Sequence, residues 1–172
     1  MSNYSPYLTV HTLSIMKAHY LIFILLIVGI NLQAQTMNND KLNGIIYTLS
    51  DTVQGESGGW QFIIDDTAFM CLTDQLHNRM RIISPIAEMG EVTDEQLLRC
   101  MEANFHSALD ARYAISDGIL WAAFIHPLQE LTKDQVISAI SQVYSTVQTF
   151  GTYYSSGELS FPTQGEEETQ RN

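Results

Sequence analysis

The chain has 172 residues, with 19 acidic side chains against eight Lys or Arg and a formal net charge of −11. This field repels polyanions, so we expect no nucleic acid partner and no binding to anionic lipid surfaces. The length fits one domain, which at this size buries enough surface to fold without a metal or a disulfide.

An apolar run near the N-terminus, Tyr20–Ile30, is eleven residues long, about half the length that a helix needs to cross a bilayer. Lys17 precedes it, and Ala34 follows at a position that a signal peptidase reads. We therefore expect a signal peptide over residues 1–34, cut after Ala34, with an uncleaved anchor or a buried core helix as the alternatives. Residues 1–15 carry no Lys or Arg, so we interpret this stretch as a mis-assigned start.

The residues around the expected cut, Gln33, Ala34 and Gln35, resemble the same region of exported proteins from Gram-negative bacteria. The resemblance implies a periplasmic or secreted protein that has no membrane attachment once the signal is removed. The folded domain is then expected over residues 35–154.

The first predicted element of that domain is an amphipathic helix over Asp40–Asp51, because apolar side chains recur there at helical spacing. The Gly-rich stretch that follows is interpreted as a break. Two strands, Trp60–Ile64 and Ala68–Thr73, are predicted around a tight turn that contains two aspartates. A third strand begins near Arg79 and ends at Pro85 or lies at a sheet edge, since proline has no N–H to donate.

A second helix is predicted to begin at Thr93. This residue can accept a hydrogen bond from the backbone of Gln96 while the Gln96 side chain reaches back, as in a capping box. Such a helix buries the apolar stripe that recurs along one of its sides. The expected buried stripe consists of Leu97, Leu98, Met101 and Phe105.

The strongest hairpin signal is the pair Asp117 and Gly118, because both residues tolerate the positive φ of a type I′ turn. The strand after it, Ile119–Ile125, is apolar at every position, and such a strand is covered on both faces. We expect helices on one face and a second copy of the chain on the other. The surface built from Tyr113–Ile125 is therefore predicted to form the interface of a homodimer.

The last helix is predicted from a second capping box, formed by Thr132 and Gln135, and Gly151 is expected to mark its end. Residues 155–172 mix Ser, Gly, Pro and Glu with few apolar side chains, so we expect a disordered acidic tail there. The buried stripe expected for the last helix is Val136, Ile140, Val143, Val147 and Phe150.

The predicted order is α-β-β-β-α-β-β-α, an α+β domain with an antiparallel sheet and three helices. Over Leu97–Phe150, the spacing of helix, hairpin and long closing helix resembles type III secretion chaperones and the related YbjN-type proteins, called bacterial sensory transduction regulators. The resemblance implies a domain, often dimeric, that binds protein segments or takes part in regulation without catalysis. Those chaperones act in the cytoplasm, whereas this chain is expected to be exported.

Two cysteines and three histidines are the strongest candidates for a reactive group or a metal ligand. Cys71 and Cys100 are expected either to form a disulfide in an oxidising compartment or to remain buried, inert thiols. His77, His106 and His126 show no metal-ligand spacing. We therefore expect no enzyme, metal or cofactor, with a thiol or hydrolase site assembled from distant residues as the alternative.

Aromatic residues are the strongest candidates for binding. Tyr113, Trp121, Phe124 and Trp60 are expected to line an apolar groove that accepts a protein or peptide segment, with core packing as the alternative. The sequence thus predicts a protein-binding, chaperone-like or regulatory module of unidentified partner. A structural envelope component is the second possibility.

Overall fold

A computed structural model describes residues 36–157 of the chain. The expected signal peptide and the part of the expected tail after Gly157 lie outside the described residues. Within them, three α-helices accompany one six-stranded antiparallel sheet, which confirms the predicted α+β class. None of these helices is long and apolar enough to cross a membrane.

The first helix, α1, runs over Asn39–Leu49, close to the predicted Asp40–Asp51. Asn38 caps it, because its side-chain oxygen accepts a hydrogen bond from the backbone N–H of Lys41 at 3.0 Å. This bond satisfies one of the N–H groups that the first turn leaves without a helical partner. The buried face of α1 consists of Asn39, Leu42, Ile45 and Ile46.

The sheet has the spatial order β1-β2-β3-β4-β6-β5, and every neighbouring pair is antiparallel. Four strands precede the second helix and two follow it. The bounds are β1 Thr52–Glu56, β2 Gly59–Ile64, β3 Thr67–Asp74, β4 Arg79–Glu88, β5 Arg112–Ser116 and β6 Ile119–His126.

Strand β1 corrects the predicted order, which has only three strands before the second helix. The Gly-rich stretch interpreted as a break is the end of β1 and its turn into β2. Gly55 adopts a φ of +100°, and a Cβ there would lie 2.2 Å from the carbonyl oxygen of Gly59. Only glycine permits this approach of the two strands. Backbone pairing with β2 defines the strand, and its polar side chains give no apolar periodicity to detect.

Strand β4 corrects a second expectation, because it continues past Pro85 to Glu88 and lies between β3 and β6. The pairs between β4 and β3 end at Ile83. Pro85 stands opposite Trp121 of β6, next to a shift in register. The missing N–H of the proline is tolerated because pairing with β3 has already ended.

The second and third helices, α2 over Asp94–His106 and α3 over Lys133–Gln148, both begin with the predicted capping box. Thr93 and Thr132 each accept a hydrogen bond at 3.2 Å from the backbone N–H three positions later. The glutamine at that position accepts one in return from the backbone of the threonine. The predicted hairpin turn is also confirmed, since Asp117 and Gly118 both have positive φ.

Helices α1 and α3 cover one face of the sheet, and the main core lies between them and the strands. Side chains such as Leu42, Val136 and Val143 meet the inward residues of the sheet there. A smaller cluster lies where α2 packs near β5, and it contains Cys100, Ala103, Tyr113 and Leu120.

The free edge of β5 is occupied by a side chain of α2. Asn104 donates a hydrogen bond from Nδ2 to the carbonyl oxygen of Tyr113 at 3.0 Å and accepts one from the Tyr113 N–H at 2.7 Å. A further strand would need these same backbone groups. At the opposite edge, no hydrogen bond within the described residues blocks the outward backbone groups of β1.

The expected start of the tail at residue 155 is too early. Ser155 and Ser156 are buried. The Ser156 hydroxyl accepts a hydrogen bond from the Leu109 N–H at 2.5 Å, and the Ser156 N–H donates to the carbonyl oxygen of Ser107 at 3.3 Å. Serine and glycine suggested disorder from composition, but here the serine hydroxyls satisfy buried backbone groups.

Candidate functional site on the outer face of the sheet

The sheet has one face under α1 and α3 and one face that the described helices leave uncovered. Cross-strand pairing places a continuous set of apolar side chains from β2, β3, β4 and β6 on the uncovered side, and neither core cluster contains them. We call this surface the outer face. Its apolar side chains are Ile63, Ala68, Met70, Leu72, Ile83, Pro85, Trp121, Ala123 and Ile125.

Several of these side chains are strongly exposed. Ile125 is 62%, Leu72 43% and Ile63 39% exposed, while Met70 and Ile83 between them are half-buried. When one face of a sheet meets water, the side chains on that face are usually polar. A contiguous exposed apolar surface instead marks an interaction site, so the outer face is the candidate functional site.

A shallow depression of about 290 Å³ lies at the β1–β4 end of the outer face. Ile63, Ala68 and Met70 line it together with Thr52 and Gln54 of β1. Its volume is at the lower limit of the roughly 300–1,000 Å³ of typical small-molecule sites, and it is open to solvent. A protruding side chain of a partner fits such a depression better than a whole small ligand does.

The β3–β4 turn beside the outer face is fixed by an exposed polar pair. Nδ1 of His77 lies 2.6 Å from Oδ2 of Asp74, and the His77 N–H donates to Oδ1 at 3.0 Å. The side-chain hydrogen bond from His77 is the main cause that lowers the pKa of Asp74. Asp74 therefore stays ionised and shapes the turn.

Three of the four aromatic residues predicted to line a groove lie in the core instead, which corrects that prediction. Trp60 is buried, and its Nε1 donates to Oδ1 of Asn43 in α1 at 2.9 Å. The Tyr113 hydroxyl donates to the carbonyl oxygen of Thr146 in α3 at 3.1 Å, and burial raises the pKa of that hydroxyl. Phe124 is buried as well. All three are on the face that the helices cover.

Trp121 is the one predicted aromatic that lies on the outer face. It is half-buried, and its Nε1 donates to the carbonyl oxygen of Ser116 at 3.2 Å. Aliphatic side chains on β3, β4 and β6 form the remaining surface. Successive side chains of a strand point to opposite faces, so the sequence sorts these residues into two sets, but it does not say which set the helices cover.

The two cysteines do not form the disulfide that was one of the two expectations. Both thiols are free and buried, and they lie in different core clusters. Burial raises the pKa of Cys71 to about 12 and that of Cys100 to about 11. Both therefore stay protonated at neutral pH, whereas the thiolate is the reactive form of cysteine.

The three histidines, His77, His106 and His126, lie in the β3–β4 turn, at the end of α2 and at the end of β6. Within residues 36–157, no three His, Cys, Asp or Glu side chains form a group that could hold a metal ion. The sequence expectation of no metal site stays a prediction for the whole chain.

Helix α2 carries a second exposed apolar surface, which the sequence assigned to the core. Phe105 is 79%, Leu98 60% and Met101 46% exposed, and we call these three side chains the α2 stripe. The helix instead turns Cys100 and Ala103 toward the domain. These small side chains let α2 approach β5 closely, which leaves the larger ones outside.

Comparison with known proteins identifies the architecture. The type III secretion chaperone SycH of Yersinia pestis, solved with a stable fragment of YscM2, matches with a TM-score of 0.51 and 14% identity, over 66% of this chain and 98% of that one. The fold matches that of type III secretion chaperones. The structure of the ExsC–ExsE complex matches with a TM-score of 0.50 and 9% identity, over 65% of this chain and 92% of the other.

At these identities the likeness concerns the fold alone. No family model matches the sequence, and no curated protein is significantly similar to it. The secretion chaperone part of the sequence resemblance is thereby confirmed for the fold. The YbjN-type part stays a prediction.

Proposed function

We propose that this chain is an exported, non-enzymatic, chaperone-like module that binds an apolar segment of another protein on its outer face. The observation that carries the proposal is the exposure of Ile63, Leu72 and Ile125 on one uncovered sheet surface. Fold likeness supports the same class, because the matching structures were solved with a bound fragment or partner. The protonated state of both cysteines argues against a thiol enzyme.

The size of the outer face favours an extended segment as the partner. Full burial of one aliphatic side chain contributes about 1.5–3 kcal/mol, while association costs about 4–15 kcal/mol. Several contacts must therefore form at once. Strands lie about 4.8 Å apart, so β2 to β6 spans about 14 Å, which four or five extended residues cover.

Site-specific photo-crosslinking in the native host tests this function. A photoreactive amino acid at Leu72 is expected to trap a partner protein, and the same group at Ser141, an exposed position of α3, is expected to trap none. The trapped protein is then purified and its affinity measured by calorimetry. We expect Leu72→Glu to weaken binding at least tenfold, because a carboxylate then replaces one of the exposed apolar side chains that the segment contacts.

The matched control is Ser141→Glu, which adds the same charge on the opposite side of the domain and is expected to change affinity less than twofold. Equal affinities for the Leu72 and Ser141 variants would contradict the proposal. So would a partner that crosslinks only through the covered side.

Export is the part of this proposal that concerns residues outside the described structure. An intact mass of the protein purified from its native host measures it directly. We expect a chain that begins at Gln35 and is recovered from the periplasm or the medium. A mass that includes residues 16–34 would refute cleavage, and recovery from the cytosol would refute export.

Self-association is proposed through the α2 stripe, which leaves the outer face free for a partner. Two copies of a helix bury such a stripe against each other in an isologous contact. Arg99 and Glu102 lie on the same helix 3.7 Å apart, so in a symmetric contact Arg99 of one copy can face Glu102 of the other.

Light scattering on the full chain separates this interface from the one that the sequence suggested. Phe105→Glu is expected to convert a dimer into a monomer, and Trp121→Glu is expected to leave the dimer intact. The reverse result would place the dimer contact on the surface built from Tyr113–Ile125. If the unaltered chain is a monomer at tens of micromolar, the proposal of a dimer is wrong.

A further inference from the structure

Strand β4 turns two arginines toward the side of the outer face. Arg79, nearest the β3–β4 turn, stands opposite an acidic residue, Asp74 of β3. Arg81 stands one pair further into the sheet, opposite Leu72 on β3 and Ile125 on β6. It is exposed and flanked by two of the most exposed apolar side chains of the outer face.

Arg81 has no partner within the described residues. The ion pairs there join His77 to Asp74 and Arg99 to Glu102, and no hydrogen bond from the Arg81 guanidinium is formed. The chain as a whole carries 19 acidic side chains against eight Lys or Arg. An unpaired cation therefore lies between the exposed apolar side chains of Leu72 and Ile125, in a chain where acidic groups outnumber Lys and Arg.

A simpler role for Arg81 is to keep the exposed sheet from aggregating, since a charged side chain interrupts an apolar surface that promotes association. That role requires a charge of either sign. Recognition requires a positive charge with the geometry of a guanidinium. The two roles therefore differ in what Arg81→Glu does.

Resting on the proposed function, we infer that the partner segment carries a carboxylate among its apolar side chains and that Arg81 binds this carboxylate. Leu72 and Ile125 contact apolar side chains of the segment on either side. The aspartate or glutamate of the segment then meets the guanidinium between them. Arg81 is thus a specificity-determining residue of the outer face.

The chemistry of the pair fits the site. A guanidinium can donate two parallel hydrogen bonds to one carboxylate, which adds direction as well as charge. Contacts of the segment with the flanking apolar side chains exclude water and strengthen the pair. A single carboxylate is favoured over a polyanion, because the net charge of −11 repels nucleic acid at long range.

Selection from a phage-displayed library of random 12-residue peptides tests the inference on the full chain. The unaltered chain is expected to enrich peptides that combine several apolar residues with at least one Asp or Glu. Arg81→Gln is expected to lose the acidic preference while it keeps the apolar one. Arg81→Glu is expected to shift the preference toward Lys or Arg.

A double-mutant cycle with the most enriched peptide gives the size of the effect by fluorescence anisotropy. Replacement of the peptide carboxylate by an amide, or Arg81→Gln, is each expected to weaken binding about tenfold, as for a hydrogen bond to a charged group. The two changes together are expected to cost little more than either alone. The control Lys133→Gln removes one positive charge from an exposed position of α3, on the covered side of the sheet, and is expected to change affinity less than twofold.

The outcomes separate failure of the inference from failure of the proposed function. Enrichment of apolar peptides without acidic preference, or equal selection by Arg81→Gln and Arg81→Glu, overturns the inference and leaves the function standing. Enrichment of no peptide, or enrichment that Leu72→Glu leaves unchanged, overturns both.

Two further controls identify other occupants of the outer face. A tenfold tighter peptide affinity after replacement of Glu166, Glu167 and Glu168 by Gln would make the tail of the same chain the ligand of Arg81. A change of oligomeric state in Arg81→Gln would make a second copy the ligand. Either result overturns the inference of a separate partner.

Discussion

Helices α2 and α3 begin with the same signal and end in different environments. Both start with a threonine that forms a capping box with a glutamine, and both carry an apolar stripe. In α3 the stripe is buried, with Val136, Ile140 and Val143 in the main core. In α2 the stripe faces outward. A capping box and an amphipathic pattern predict that a helix forms, but the packing partner decides which side is buried.

The largest expected difference concerns one apolar side chain from each helix. Ile140→Ala is expected to lower the free energy of unfolding by about 2–5 kcal/mol, because it opens a cavity in the main core. Leu98→Ala is expected to change it by less than about 0.5 kcal/mol, as for an exposed position. Urea unfolding followed by circular dichroism measures both. Equal losses of unfolding free energy would mean that another surface covers the α2 stripe. If the loss for Leu98→Ala depends on protein concentration, that surface belongs to a second copy.

A smaller difference is expected between the two amide side chains that bond to the region around β5. Oε1 of Gln142 in α3 accepts from the N–H groups of Asp110 and Ala111 at 2.9 and 3.2 Å. Gln142→Leu is expected to cost about 1–3 kcal/mol of unfolding free energy, since two N–H groups lose their acceptor. Asn104→Leu removes two hydrogen bonds at a half-buried position and is expected to cost less, about 1 kcal/mol. A larger cost for Asn104→Leu would contradict the ranking.

Loss of either capping box is expected to lower the free energy of unfolding by the same amount, because each box depends only on residues within one helical turn. Thr93→Ala and Thr132→Ala are each expected to lower the free energy of unfolding by about 1 kcal/mol. Thr→Ser at the same positions retains the acceptor oxygen and serves as the control. A negligible effect at Thr93 alone would indicate that the first turn of α2 opens independently of the rest of the fold.

The smallest expected difference is between the two cysteines, in how easily local opening of the structure exposes each thiol. Cys100 lies on the inner side of α2, which packs near β5, while Cys71 lies in the main core. Because burial raises the thiol pKa values to about 11 and about 12, labelling at pH 8 requires opening of the structure. We expect Cys100 to react before Cys71 as urea rises below the unfolding midpoint, since sparsely packed regions open at lower cost. Simultaneous labelling would make the domain one cooperative unit.

Much of the fold was predictable because its signals are local. The capping boxes, the turn at Asp117 and Gly118, the alternation in β4 and the apolar run of β6 depend on residues close in sequence. Strand β1 was not predictable in this way, because Gly55 and its polar neighbours are held by backbone pairing with β2. The candidate site was only half predictable. Trp121 lies on it, but Tyr113, Phe124 and Trp60 were chosen by residue type, and the helices cover their side of the sheet.

The hydrogen bonds of Asn104 to Tyr113 affect how this domain can assemble. A sheet with two open edges can add copies head to tail without limit and grow into a fibre. Here the β5 edge is obstructed at Tyr113, so an incoming strand finds open backbone groups at β1. A pairing that joins β1 to β1 is symmetric and closes after two copies. One amide side chain thereby limits edge-to-edge polymerisation, which is valuable for a protein that exposes an apolar sheet surface.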